Sequence, residues 1–165
     1  MPGADLILFE EEYQLIHSAI SRLRREANAL SVVMIEKSGQ AIASVGDMAE
    51  IDQTALSSLT AGNVAATEGL AQLIGENRFC SLFHEGERQN IHISLIGGKV
   101  ILLVVFNEDS SLGLVRLRVR KISNELAGIL EVVNTKSAAG VAMGAAHEGP
   151  FADITDEDID KLFAD

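Results

Sequence analysis

Between residues 78 and 106 three strand-like runs, "RFCSLFHE", "QNIHISLI" and "KVILLVVF", follow one another with only a turn at Gly86 and another at Gly97-Gly98 between them. Parallel neighbours need a long crossover, so such short glycine turns force an antiparallel meander. A second signal of the same kind lies upstream. In "SVVMIEKSGQAIASVG" two short β-rich runs meet at Ser38-Gly39 and predict a hairpin.

Helical periods fill the remaining chain. Tyr13, Ile16, Ile20, Leu23 and Ala27 recur at steps of three and four and put one apolar stripe on a first helix between Glu10 and Ala29. A second helix starts near Asp52 or Thr54 and runs to Gly75, a residue suited to ending it. The segment "VRLRVRK", 115 to 121, alternates like a strand. However, Val115, Val119, Ile122, Leu126, Ile129 and Val133 keep helical spacing for five turns, which predicts a third helix. The order is then α-ββ-α-βββ-α, with five strands in one antiparallel sheet, an α/β sandwich-like arrangement over residues 1–135. Residues 136–150, small and glycine-rich without an apolar period, read as a flexible linker. Residues 151–165 hold six acids against one lysine and predict a short amphipathic helix capped at Thr155. Phe151, Ile154, Ile159, Leu162 and Phe163 are its apolar residues, and alone it is marginal in water.

Several function classes lose support. The net charge of −11 speaks against a nucleic-acid or anionic-membrane partner. The start carries no basic, apolar leader, and no run reaches the roughly 18 apolar residues of a membrane span. The single Cys80 excludes an internal disulfide, fits a reducing cytosol and reads as a small buried hydrophobe beside Phe79, Leu82 and Phe83. The four histidines show no metal-ligand spacing, "IGGKV" lacks the remaining parts of a phosphate loop, and no nucleophile-base constellation can be nominated. No cofactor, no metal and no active site of its own is expected.

The second helix carries the strongest functional signal. "TAGNVAATEGLAQLIGE", 60 to 76, holds interior glycines at 62 and 69, each costing about 1 kcal/mol of helix stability relative to alanine. At about 100° per residue, Leu56, Leu59, Ala66, Leu70, Leu73 and Ile74 share the face expected to pack on the sheet. Ser58, Ala61, Gly62, Ala65 and Gly69 take the opposite face, where a lone amphipathic helix would carry Lys and Glu. Small side chains there let another backbone approach closely, so that face is expected to be an interface.

Element order and this helix, together with "FEEEY", "LTAGNVAA", "GLAQLIGEN", "FHEGE" and "SSLGLVRLR", resemble the roadblock/dynein light chain superfamily. The likeness is nearest to the bacterial members that act on a Ras-like polarity GTPase of the MglA type, and it covers nearly the whole chain, the acidic end included. It implies a roadblock fold and a homodimer paired through the second helices and third strands. One GTP-bound GTPase would sit on the paired helices, against Ser58, Ala61, Gly62, Ala65 and Gly69. It further implies a GTPase activator, not itself an enzyme, that remodels its partner's active site without donating a residue. Arg78 and Arg88 are the candidates for an arginine finger should that be wrong. The C-terminal residues Phe151, Ile154, Ile159, Leu162 and Phe163 would dock on the GTPase and modulate nucleotide exchange. The alternative is a non-catalytic roadblock scaffold with the same surfaces. Cell polarity or gliding motility would be the setting, and the cytoplasm, concentrated at a cell pole, the location.

Overall fold

The strand "VILLVVF" is buried along its whole length because it forms the middle of the sheet and both its faces are covered. A computed structural model describes residues 8–146 and Lys161. In chain order the elements are α1 (Glu10–Glu26), β1 (Ser31–Glu36), β2 (Ala41–Gly46), α2 (Gln53–Leu73), β3 (Ser81–Glu85), β4 (Asn90–Ile96), β5 (Val100–Phe106) and α3 (Leu112–Ala146). The sheet order is β2-β1-β5-β4-β3 with every pair antiparallel; the short turns require this of β1–β2, β3–β4 and β4–β5, and the non-sequential β1–β5 pair shares it. The expected α-ββ-α-βββ-α order is the observed one.

Side chains alternate along β1 and β5 and so feed two separate cores. Val32, Met34, Leu102, Val104 and Phe106 point to the side covered by α1 and α3, where they meet Ile16, Ile20, Leu23, Val115 and Leu126. Val33, Ile35, Ile101, Leu103 and Val105 point to the other side, where Ala61 and Val64 of α2 cover them. Two helices thus serve one face and a single helix the other. The β3 end of the sheet stays thinly covered, with Leu82 alone of its residues less than exposed.

Helix α3 corrects the expected linker. Its start is fixed by Ser111, whose carbonyl accepts from Val115 N and whose hydroxyl accepts from Leu114 N. It continues through residues 136–146 instead of ending at 135. Five of those eleven residues are alanine, the strongest helix former, so the missing apolar period marks a helix leaving the core rather than a loop. Residues 147–150 lie outside the described residues. So do Phe151, Ile154, Ile159, Leu162 and Phe163.

A buried carboxylate ties this extension back to the domain. Glu12 of α1 is 3% exposed, and Lys136 Nζ donates to its Oε1, lies 3.9 Å from Glu11 and sits 5.8 Å above the Phe9 ring. The Lys136 hydrogen bond holds the Glu12 carboxyl below its ordinary 4.5, with burial opposing. A depressed carboxylate pKa stabilises the fold above the unfolded value and loses that contribution as pH falls through the folded value. Lys136→Met is therefore expected to lower urea stability at pH 7, with the deficit shrinking below about pH 4.5. Parallel urea titrations of both proteins at pH 7 and pH 3.5 check this, and an equal deficit at both pH values refutes it.

Candidate functional site

Helix α2 begins where the Asp52 side chain accepts from Ala55 N at 3.0 Å. It ends at Gly75, which takes the left-handed conformation at φ +80° while Gly75 N bonds to Gln72 O and Glu76 N to Ala71 O. That paired closure satisfies the last carbonyls and is why glycine stands there. From Gln53 to Gly75 the only charge is Glu68, and its carboxylate is taken by Lys37 of the β1–β2 turn at 2.7 Å.

The helix is rotated relative to the sequence expectation. Its inner face is made of Ser57, Thr60, Ala61, Val64 and Ala71, all buried. Leu59, Leu70, Leu73 and Ile74, expected to pack on the sheet, are 74%, 56%, 84% and 68% exposed. Ala66 is exposed with them, and only Leu56 of the expected inner set packs against the core. The cause is the β1–β2 hairpin. Gly39 sits so close that a Cβ there would stand 3.4 Å from Ser58 Cα and 3.8 Å from Ala61 Cβ. A long side chain at position 58 or 61 would not fit that gap, so this flank of the helix goes to the hairpin and the leucines face outward.

Ala61 therefore leaves the partner-facing set, being buried against the sheet. Ser58, Gly62, Ala65 and Gly69 are exposed and share the outward face with Leu59, Leu70 and Leu73. A Cβ added at Gly62 or Gly69 would meet nothing within 4 Å, so nothing in the described protomer explains either glycine. The sequence does not reveal the outward leucines, because α2 is small or apolar nearly all round and its phase stays undetermined. The Gly39 contact sets that phase, and the Glu68–Lys37 pair holds it.

This surface runs on to the β3 edge. Asn63 Nδ2 lies 3.1 Å from His84 Nε2, joining α2 to β3, and β3 has a neighbour on one side only. Cys80 precedes β3 and is exposed, against the expected burial, because β3 is an uncovered edge. Arg78 and Arg88 stand at opposite ends of β3, the first beside Gly98 of the β4–β5 turn and the second in the β3–β4 turn, both exposed. No described helix is long and apolar enough to cross a membrane.

Residues 15–106 match the family model of the Roadblock/LC7 domain. Among solved structures, Myxococcus xanthus MglB is 48% identical at a TM-score of 0.73, the likeness covering 78% of this chain and 96% of that one. The gliding protein MglB of Thermus thermophilus is 32% identical at 0.72, over 77% and 96%. An MglB described as having a tetrameric arrangement is 30% identical at 0.74, over 78% and 97%. These spans are shorter than the nearly full length expected from sequence. No curated protein matched the chain.

The two faces of α2 make opposite predictions at neighbouring alanines. Ala61→Glu forces a carboxylate into the core beside Val33 and Leu103 and is expected to cost about 2 kcal/mol or more. Ala65→Glu places the same group in solvent and is expected to change protomer stability by less than about 0.5 kcal/mol. Thermal melts followed by circular dichroism check the pair, and the reverse ranking would mean the helix is turned the other way.

Proposed function

The chain belongs to the Roadblock/LC7 family, and from that membership we propose that it is a homodimeric regulator of a small Ras-like GTPase of the MglA type, binding the GTP-loaded form and accelerating hydrolysis. The observation that carries this reading is the outward face of α2, where leucines stand exposed around two glycines that the protomer itself does not require. Contiguous exposed apolar surface of that kind marks an interaction site. The 48% identity to Myxococcus xanthus MglB supports a GTPase as the partner.

In the proposed assembly two protomers meet through α2 and the free edge of β3, which pairs the backbone groups that an edge strand leaves open. The GTPase rests on the joined helices. Ser58, Gly62, Ala65 and Gly69 admit its backbone closely, while Leu59, Leu70, Leu73 and Ile74 supply the buried apolar area for both contacts. Ala61 acts indirectly, by seating α2 on the hairpin.

Catalysis in this reading comes from the GTPase's own groups. Hydrolysis needs an oriented water and positive charge at the developing phosphate charge. The α2 surface offers no arginine or lysine between Gln53 and Gly75. A regulator without a cation at the contact accelerates by binding preferentially the GTPase conformation in which its own arginine and glutamine reach the nucleotide. The segment 151–165 docks on the GTPase through Phe151, Ile154, Ile159, Leu162 and Phe163 and modulates nucleotide exchange, with its acids steering the encounter.

Phosphate release from a GTP-loaded MglA-type GTPase tests the proposal. Acceleration of about tenfold or more at substoichiometric protein is expected. Gly69→Glu or Leu59→Asp should abolish it, whereas Arg78→Ala combined with Arg88→Ala should leave it within about threefold, since a true arginine finger is worth about 10³ or more. Loss of activation with binding intact in that double variant would identify a finger. Complex formation without acceleration by the unaltered protein would make it a scaffold. Deleting residues 148–165 is expected to weaken the complex or alter nucleotide exchange, and unchanged affinity and exchange would remove the docking role.

A further inference from the structure

On the sheet face opposite α2, the start of α3 and strand β4 enclose an open groove of about 320 Å³. Arg116 and Arg120, one helical turn apart, line it from α3, and His92 and Ser94, alternate residues of β4, line it from the sheet. No carboxylate is among its lining residues. Neither arginine has an ionic partner among the described residues, whereas Arg118, on another side of the helix, pairs with Glu26 at 3.6 Å.

The floor of the groove is equally unsatisfied. His92 is 2% and Ser94 8% exposed, and His92 Nδ1 and Ser94 Oγ are buried without a hydrogen-bond partner among the described residues. Burying polar atoms unpaired is costly, so such atoms in a groove point to something that pairs with them. Burial, with the Arg116 charge second, holds the His92 imidazole below its ordinary 6.5. It is therefore neutral at pH 7 and in one tautomer offers an N–H at Nδ1.

We propose that this groove binds a small phosphorylated molecule, the phosphate held by Arg116 and Arg120 from the helix and by Ser94 and His92 from the sheet. Guanidinium forks are suited to phosphate oxygens. Donors converge from two elements, which matches a tetrahedral group better than a planar one. The volume far exceeds the roughly 30 Å³ of a single water, and Val119 of α3 gives an organic portion an apolar surface to lie on.

The acidic end of the same chain is a poorer occupant. From Arg116 to the end of α3 at Ala146 is about 45 Å at 1.5 Å per residue. Returning over that distance uses about 13 extended residues. Of the six acids of the tail only Asp160 and Asp165 then remain to reach the groove. The site lies on the other side of the sheet from the proposed GTPase surface and does not depend on that reading.

Titrating the full-length, isotope-labelled protein with inorganic phosphate, and then with phenyl phosphate, tests the proposal by NMR. Saturable shifts centred on His92, Ser94, Arg116 and Arg120 are expected, with phenyl phosphate the tighter of the two. Arg116→Gln with Arg120→Gln should weaken binding at least tenfold, and Ser94→Ala severalfold. Arg24→Gln with Arg25→Gln, on exposed α1 positions, should leave it within twofold. The proposal is overturned by shifts that fail to saturate, that are as large at Arg24, Arg25, Arg78 and Arg88 as at the exposed Arg116 and Arg120, or that sodium chloride reproduces at equal ionic strength. Equal affinity in the two double variants overturns it as well.

Discussion

The contact of α2 with the β1–β2 hairpin sets what the molecule presents to its surroundings. One helix has to cover Val33, Ile35, Ile101, Leu103 and Val105, and the turn at Gly39 leaves it room only for small side chains. Ala61 meets the turn, Ser57, Thr60 and Val64 are buried with it, and Thr60 satisfies its hydroxyl on Leu56 O at 2.6 Å. Helical geometry then carries the large apolar residues of the same helix outward. The exposed leucines are a consequence of close packing on the other side.

The sheet side of the fold was legible from sequence because turn chemistry leaves few options. Short Gly86 and Gly97-Gly98 turns allow only antiparallel neighbours, and the buried positions of α1 and α3 repeat at helical spacing for several turns. Helix α2 was legible as an element but not as an orientation. A hydrophobic period assigns a face only when the opposite face is polar, and α2 has a single charge. The tertiary contact at Gly39 decided the phase, and Ala61 changed sides with it. The stretch after 135 failed for a related reason. An exposed helix of alanine and glycine has no period to read, although its composition favours helix over most of its length.

Exposed Leu59, Leu70, Leu73 and Ile74 make the isolated protomer an incomplete solution of the folding problem. Scattered exposed apolar side chains need no explanation, and Leu15, Leu117 and Val132 are of that kind. Four large apolar residues along one helix, next to an open strand edge, form one continuous surface. In the proposed regulator that surface is divided between a second copy and the GTPase. The demand on it is then steric as well as hydrophobic, since each partner must come close enough for backbone to meet backbone. Gly62 and Gly69 fit that demand, at a cost in helix propensity that isolated folding gives no reason to retain.

Charge separates the two sides of the sheet. Helix α2 leaves no uncompensated cation on its surface, because Glu68 and Lys37 neutralise each other, so its binding energy must come from apolar area and fit. Across the sheet, Arg116 and Arg120 have no ionic partner among the described residues and stand above a buried imidazole and hydroxyl. A phosphate group placed on the α2 surface would find no unpaired cation, since Lys37 is taken by Glu68. The same group beside α3 would meet Arg116 and Arg120. The two surfaces therefore select different chemistries, and between them lies β4, whose Ile93 faces α2 while His92 and Ser94 face α3.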